Sequence, residues 1–144
     1  MKIAVGSDHA GFRLKEELAA LLREWGHEVE DHGPQDEASV DYADFAHVVA
    51  SAVGSRAADR GLLVCGTGLG MAMAANRHEG VRAAACADGY SATMTRAHND
   101  ANVLCLGSRV VGPGLARAIL EAFVQTPFDG GRHVRRVEKI EPGR

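Results

Sequence analysis

The chain reads as an α/β protein: a three-layer α/β/α sandwich of Rossmann-like type on a five-stranded parallel sheet. Three observations predict it. Short apolar runs alternate with segments whose apolar residues recur at helical spacing. The connections between them are brief and rich in Gly, Pro, Asn and Asp. At 61–77, GLLVCGTGLGMAMAANR, a buried strand runs through glycines directly into a Met/Ala helix. Such alternation argues for a parallel sheet covered on both faces. One domain spanning residues 1–144 is the natural count for this length.

Residues 2–6, KIAVG, form the first strand and SDHAG a turn. From Phe12 to Trp25, Leu14, Leu18, Leu21, Leu22 and Trp25 share a helix face, and Gly26 ends it as a C-cap glycine. HEVEDH, 27–32, is a weaker edge strand around Val29, and GPQDEASVD is a loop. Asp41 can cap a second helix with Tyr42, Phe45, Val49, Ala52 and Val53 on one side, fraying near Gly54. Leu62–Val64 is the third strand, VRAAAC at 81–86 the fourth, and VLCLG at 103–107 the fifth. Asp88–His98 is a helix with Tyr90, Met94 and Ala97 on one face. Pro113–Phe123 is another, with Pro in its first turn. Pro127 and Gly130-Gly131 separate it from a basic terminal helix, 132–140, whose Val134, Val137 and Ile140 share a side.

Composition excludes several function classes. A formal charge of −3 gives no basic footprint for nucleic acid. Three cysteines, at 65, 86 and 105, are odd in number and lack C-x-x-C spacing, so neither a disulfide framework nor a zinc site is expected. The N-terminal apolar stretch is too short for a signal peptide, and no run approaches a membrane span; a cytoplasmic location is expected.

In parallel sheets ligands sit outside the carboxyl ends of the strands. That rule puts Ser7, Asp8 and His9, then Cys65, Gly66 and Thr67, then Asp88, then Gly107, Ser108 and Arg109 on one rim. A glycine-lined helix start attracts anions and can stabilise a thiolate at Cys65. The glycines run G-x-G-x-G with Met71 where the dinucleotide fingerprint needs Gly, and no Lys-Ser/Thr pair follows as in a P-loop. Cys65 therefore reads as a reactive thiol beside an oxyanion cradle, or as an inert thiol in a tight turn. Asp8 and His9 read as site residues or as a cap acid beside a surface His. By pattern alone His98 is a helix-end residue next to an Asn-Asp turn, and Tyr42 a core aromatic. Arg132 and Arg136, four apart, can grip one anion, as can Arg135 and Lys139; a solvated basic face is the other reading.

Five pieces in order, GSDHAG at 6–11, DYADFA at 41–46, CGTGLGMAMAANR at 65–77, RAHNDANVLCLGSRVVG at 96–112 and GGRHVRRV at 130–137, resemble ribose-5-phosphate isomerase type B of the ribose/galactose/allose phosphate isomerase family. The resemblance covers nearly the whole chain. It implies an aldose–ketose isomerase acting through an enediolate, with Cys65 as the base between C1 and C2. Thr67 and the amides of Gly66, Gly68, Leu69 and Gly70 would hold the enediolate oxygens, and His98 would open the sugar ring. Asp8, His9, Tyr42 and Asn99 would contact the sugar or its phosphate, and Arg109, Arg132 and Arg136 would bind the phosphate. It implies no cofactor and no metal. It also implies a homodimer or homotetramer with sites shared between subunits. Ribose 5-phosphate is the expected substrate; allose 6-phosphate or galactose 6-phosphate is the alternative. A non-enzymatic binder of a phosphometabolite or nucleotide is the reading from a different class. Ala43 stands where relatives often have Pro, a difference in loop stiffness.

Overall fold

A computed structural model of the chain describes residues 1–141. Strand β1 (Lys2–Ser7) leads into α1 (Phe12–Glu24), β2 (Glu28–Asp31) into α2 (Tyr42–Gly54) and β3 (Arg60–Cys65) into α3 (Leu69–Ala75). Then β4 (Ala83–Ala85) leads into α4 (Gly89–Asn99) and β5 (Val103–Gly107) into α5 (Pro113–Gln125). A 3₁₀ turn (Gly131–His133) and α6 (Val134–Glu138) follow. The five strands are all parallel, in the order β2-β1-β3-β5-β4. The direction of winding reverses between β1 and β3, so the carboxyl ends of those two strands flank the crevice where such sheets bind ligands.

Side-chain alternation along the strands divides the core. Ile3, Val5, Leu62, Val64, Leu104 and Leu106 pack against Leu14, Leu18 and Leu22 of α1 and Ile119, Leu120 and Phe123 of α5. Ala4, Leu63, Cys65, Val103 and Cys105 face Ala46, Val49, Ala50 and Val53 of α2 and Met71 and Ala75 of α3. Each such leucine, fully removed from water, contributes roughly 1.5–3 kcal/mol. The predicted α1 stripe is observed, with Leu21 and Trp25 half-buried at its edge and Gly26 at φ +84° closing the helix.

Several expectations need correction. β4 is Ala83–Ala85 rather than 81–86, because it is an edge strand with one paired neighbour. The side-chain amide of Asn76 takes the place of a missing strand, donating to Ala83 O and accepting from Ala83 N–H, each at 2.8 Å. On α4 the inward residues are Ala92, Arg96 and Ala97, and Tyr90 is 76% exposed. The pattern misread this face because Arg96 is buried by its polar partners, which hydropathy does not register. Asp41 occupies the N-cap of α2, but its side chain makes no capping bond. The terminal helix expected over 132–140 is a 3₁₀ turn at Gly131–His133 followed by α6 ending at Glu138, and Val134 and Ile140 are exposed. Lys15, between two core leucines, is fully buried; its Nζ reaches both carboxylate oxygens of Asp31, at 2.9 and 2.8 Å, and Pro34 O at 3.1 Å. No helix among the described residues is long and apolar enough to cross a membrane.

Candidate functional site

Because β3 pairs with β5 as far as Cys65↔Gly107, the turns after both strands meet at one rim. Ser108 N–H donates to Cys65 O at 2.8 Å and Arg109 N–H to Gly66 O at 3.1 Å, locking the two turns together. The Ser108 hydroxyl ties the β1–α1 turn to the same place through Ala10 O at 2.8 Å. Cys65 is 5% exposed, and its Sγ accepts the Gly68 N–H at 3.1 Å. Gly68 has φ +79°, a backbone that L side chains rarely adopt. The Thr67 hydroxyl accepts the Leu69 N–H at 3.3 Å. Two of the amides expected to face an oxyanion, those of Gly68 and Leu69, are thus already engaged. Gly70, at the second position of α3, has no intrahelical acceptor for its N–H. The Tyr42 ring lies across Gly70, where a Cβ would stand 2.8 Å from Cε2. Tyr42 is 45% exposed, so it caps the turn instead of joining the core.

Asp8 and His9 sit at the β1 end of this rim. One Asp8 carboxylate oxygen accepts the Gly11 N–H at 2.9 Å. His9 Nδ1 accepts the Val40 N–H at 3.3 Å, which leaves the ring's N–H on Nε2. The Arg109 guanidinium lies over Gly66. Grooves of ≈ 630 Å³ beside Tyr42, Leu69 and Gly70 and of ≈ 330 Å³ beside Ser108 and Arg109 flank the turn. Two expected rim residues do not present themselves. Ser7 is fully buried, and its β1 register puts it with Ile3 and Val5 on the α1 face. Asp88 is spent on capping α4, accepting from the Ser91 N–H and hydroxyl, each at 2.7 Å.

His98, Asn99, Arg132 and Arg136 are not brought to this rim. Helix α4 starts beyond the carboxyl end of β4 and runs back, so its last turn lies at the amino edge of the sheet, just before β5. Eleven helical residues span on the order of 16 Å. Within one chain, His98 and Cys65 are therefore a sheet's length apart. At the amino edge His98 stacks on His133, ring centroids 4.4 Å apart and planes 8° from parallel. His133 is 8% exposed; burial, then the His98, Arg132 and Arg136 charges, hold its pKa below the usual imidazole value, with Asp129 opposing. His133 escaped the sequence reading although it stands between the two arginines of the GGRHVRRV motif. Asp129 N–H donates to Ala97 O at 3.0 Å, fastening this segment to α4. Asn99 also lines a cavity of ≈ 910 Å³ with Arg82, Thr95 and Ile140.

Among the described residues, one group of His, Cys, Asp and Glu side chains is close enough to share a cation: His98, Asp129 and His133, with ligand atoms within 4.8 Å of one another. Ring-nitrogen lone pairs lie in the ring planes, and the two planes here are nearly parallel. They do not converge on a common point, so this arrangement serves stacking, not chelation.

The comparisons with known proteins agree with this architecture. The ribose/galactose isomerase family profile matches residues 3–140. The chain is 50% identical to ribose-5-phosphate isomerase B of Escherichia coli K12 over 96% of its own length and 93% of that protein. It superposes on ribose-5-phosphate isomerase B of Clostridium thermocellum with a TM-score of 0.96 and 53% identity, covering 97% of this chain and 95% of the other. For ribose-5-phosphate isomerase B of Mycoplasma genitalium, solved with bound ribulose 5-phosphate, the values are 0.93 and 42%, covering 96% and 93%. With a full-length match in sequence and a sheet and helix order that carry it, the chain belongs to the ribose/galactose isomerase family.

Proposed function

We propose that this protein is a sugar-phosphate isomerase that interconverts ribose 5-phosphate and ribulose 5-phosphate, at centres that each take the carboxyl rim of one copy and the amino edge of another. The observation that carries the reading is the Cys65 sulfur held at 3.1 Å by the Gly68 amide, in a turn shared with Thr67, Tyr42 and Arg109 at the β1/β3 reversal. An N–H aimed at sulfur favours the anion that can act as base. In the open-chain aldose the Cys65 thiolate takes the proton from C2, and the pair of electrons left behind makes the C1–C2 double bond of an enediolate. The same proton returned to C1 gives the ketose, with the hydroxyl proton passing from O2 to O1. Donors aimed at the developing oxyanion typically contribute on the order of 3–4 kcal/mol each. Thr67 and the Gly70 amide stand where those donors are needed. His98 opens the furanose by taking the anomeric hydroxyl proton and supplying one to the ring oxygen. Arg109, Arg132 and Arg136 hold the phosphate, whose binding energy is spent at the reacting carbons.

The separation of His98 from Cys65 along the sheet supports the two-copy arrangement, and the α2–α3 layer offers a surface for it. Tyr42, Val48, Leu69 and Met73 are exposed there, between 45% and 68%. The test is conversion of ribose 5-phosphate to ribulose 5-phosphate measured beside allose 6-phosphate, with and without chelator. Turnover of the pentose phosphate that is abolished in Cys65→Ala supports the reading. Full activity in Cys65→Ala, or phosphosugar binding with no turnover of either substrate, refutes it.

A further inference from the structure

The αL residue that ends α4 is not glycine. Asp100 has φ +48° and ψ +42°, a conformation uncommon outside glycine that Asp and Asn tolerate. Its N–H closes the helix onto Arg96 O at 3.2 Å. Its carboxylate is divided between two guanidiniums: Oδ1 accepts from Arg96 Nη1 at 2.8 Å and Oδ2 from Arg82 Nη2 at 3.0 Å. Arg82 Nε also donates to the Asp100 carbonyl at 2.9 Å, so Arg82 holds both the backbone and the side chain of this residue.

Arg96 carries the connection further. It is 5% exposed, and the same Nη1 donates to Ala101 O at 2.6 Å while Nε donates to Thr126 O at 3.3 Å. The last bond reaches the segment after α5, which leads to Asp129 and His133. His98, Asn99 and the His133 that stacks on His98 therefore all hang from elements joined at Arg96. A carboxylate is needed at the junction because guanidiniums crowd it. Arg60 donates to Phe123 O and to Val124 O, and both Arg60 and Arg96 lie against the Phe123 ring, at 5.5 and 5.8 Å. Burial and the Arg96 charge lower the Arg60 pKa to about 10, and the Asp100 charge works in the opposite direction.

We propose that Asp100 is a positioning residue: clamped between Arg82 and Arg96 at the left-handed end of α4, it sets the His98 ring against His133 and aims His98 and Asn99 at the sugar. The inference rests on the isomerase reading above for what His98 does, but the placement of the His98 ring is measurable by itself.

Asp100→Gly and Asp100→Asn both accept the αL backbone, the first without the clamp and the second with a neutral acceptor in its place. Two readouts separate positioning from bulk stability, both taken well below the melting temperature. The first is the NMR spectrum of histidine-labelled protein, where a ring stacked at 4.4 Å displaces its partner's carbon-bound proton signals. In Asp100→Gly the His98 and His133 signals move toward unstacked values while those of His47 and His78 stay. The second is kinetics: kcat on ribose 5-phosphate falls by about 10–100-fold, the size expected for an ångström-scale misplacement, with a smaller change in KM. Asp100→Asn gives an intermediate value in both. Unmoved His98 and His133 signals with wild-type kcat in either variant overturn the proposal, and so does a loss of activity unaccompanied by any movement of those signals. His98→Asn is measured in parallel. If it keeps wild-type turnover, the reading of His98 as the ring-opening group fails, whereas the NMR result still decides whether Asp100 places the ring.

Discussion

Gly68→Ala perturbs the turn that presents the thiol while removing no side chain of the site. At φ +79° an L residue pays roughly 1–2 kcal/mol for the left-handed backbone. The added Cβ would also stand 3.0 Å from the carbonyl carbon of Leu106 and 3.2 Å from that of Cys105. Both are backbone atoms of the buried strand β5, which cannot swing aside as a side chain could. The sum is about 2–3 kcal/mol, within the range for strained special positions. For a domain of this size that lowers Tm by roughly 5–10 °C. The turn must also shift, and the Gly68 N–H leaves the Cys65 sulfur. A hydrogen bond to a charged acceptor contributes about 1.5–3 kcal/mol, so thiolate-dependent chemistry should slow by about 10–150-fold. The assay is the rate of iodoacetamide alkylation at fixed pH, followed by peptide mapping. Burial pushes the Cys86 thiol up to about 11 and the Cys105 thiol higher still, so Cys65 is the cysteine expected to react first. A variant with wild-type Tm and wild-type alkylation rate at Cys65 would show that the left-handed Gly68 does not present the thiol.

Other perturbations probe the buried ion pair, the arginines and the stacked histidine. Lys15→Met leaves Pro34 O without its donor and the Asp31 carboxylate with the Gly33 N–H in place of an ion pair; because Asp31 keeps that bond and is partly solvated, the expected loss is near the lower end of the ~3–5 kcal/mol for breaking a buried pair, read as a drop in the urea midpoint, and an unchanged midpoint contradicts it. Arg132→Ala and Arg136→Ala, both at exposed positions, should leave Tm within a degree or two and weaken use of phosphosugars severely; wild-type kinetics in both would remove the arginines from the site. Protonated His133 is disfavoured in the folded state, so the unfolded chain binds more protons near pH 6 and stability falls as pH drops below about 6.5. Melting curves for wild type and His133→Asn should therefore diverge between about pH 7 and 5, with the wild type losing more; parallel curves would show that the ring is not held neutral by its surroundings.

Much of the fold was legible because the strongest signals are local. Leu14, Leu18 and Leu22 declare a helix face, Leu62–Val64 and Val103–Leu106 declare buried strands, and the strand-glycine-helix run at 61–77 places Cys65 at a carboxyl end. Strand order was not legible, since a crossover of given length serves a neighbouring strand or one further away. The inward face of α4 was misread at Arg96, whose burial depends on Asp100, Ala101 and Thr126 rather than on its own hydropathy. The burial of Lys15 has the same origin in Asp31 and Pro34. The carboxyl-end rule brings Asp8, His9, Cys65, Thr67 and Arg109 to one rim, as the structure has them, but it also places there Ser7, which is buried, and Asp88, which is engaged in capping α4. The same rule, followed one step further, separates His98: a residue at the far end of the helix after a strand returns to the opposite edge of the sheet. That step was available from the numbering alone. What no pattern in one chain contains is the second copy that the proposed shared centre calls for.

Subunit complementation decides whether one centre is built from two copies. Cys65→Ala and His98→Asn are each prepared, unfolded together in equal amounts and refolded, with mixed assemblies counted by native mass spectrometry. In a two-fold assembly half the dimers are mixed, and each mixed dimer carries one intact centre and one doubly disabled one. Two nearly inactive parents should then yield about a quarter of wild-type isomerase activity. Mixed dimers that form in the expected proportion and show no more activity than their parents would contradict the shared centre.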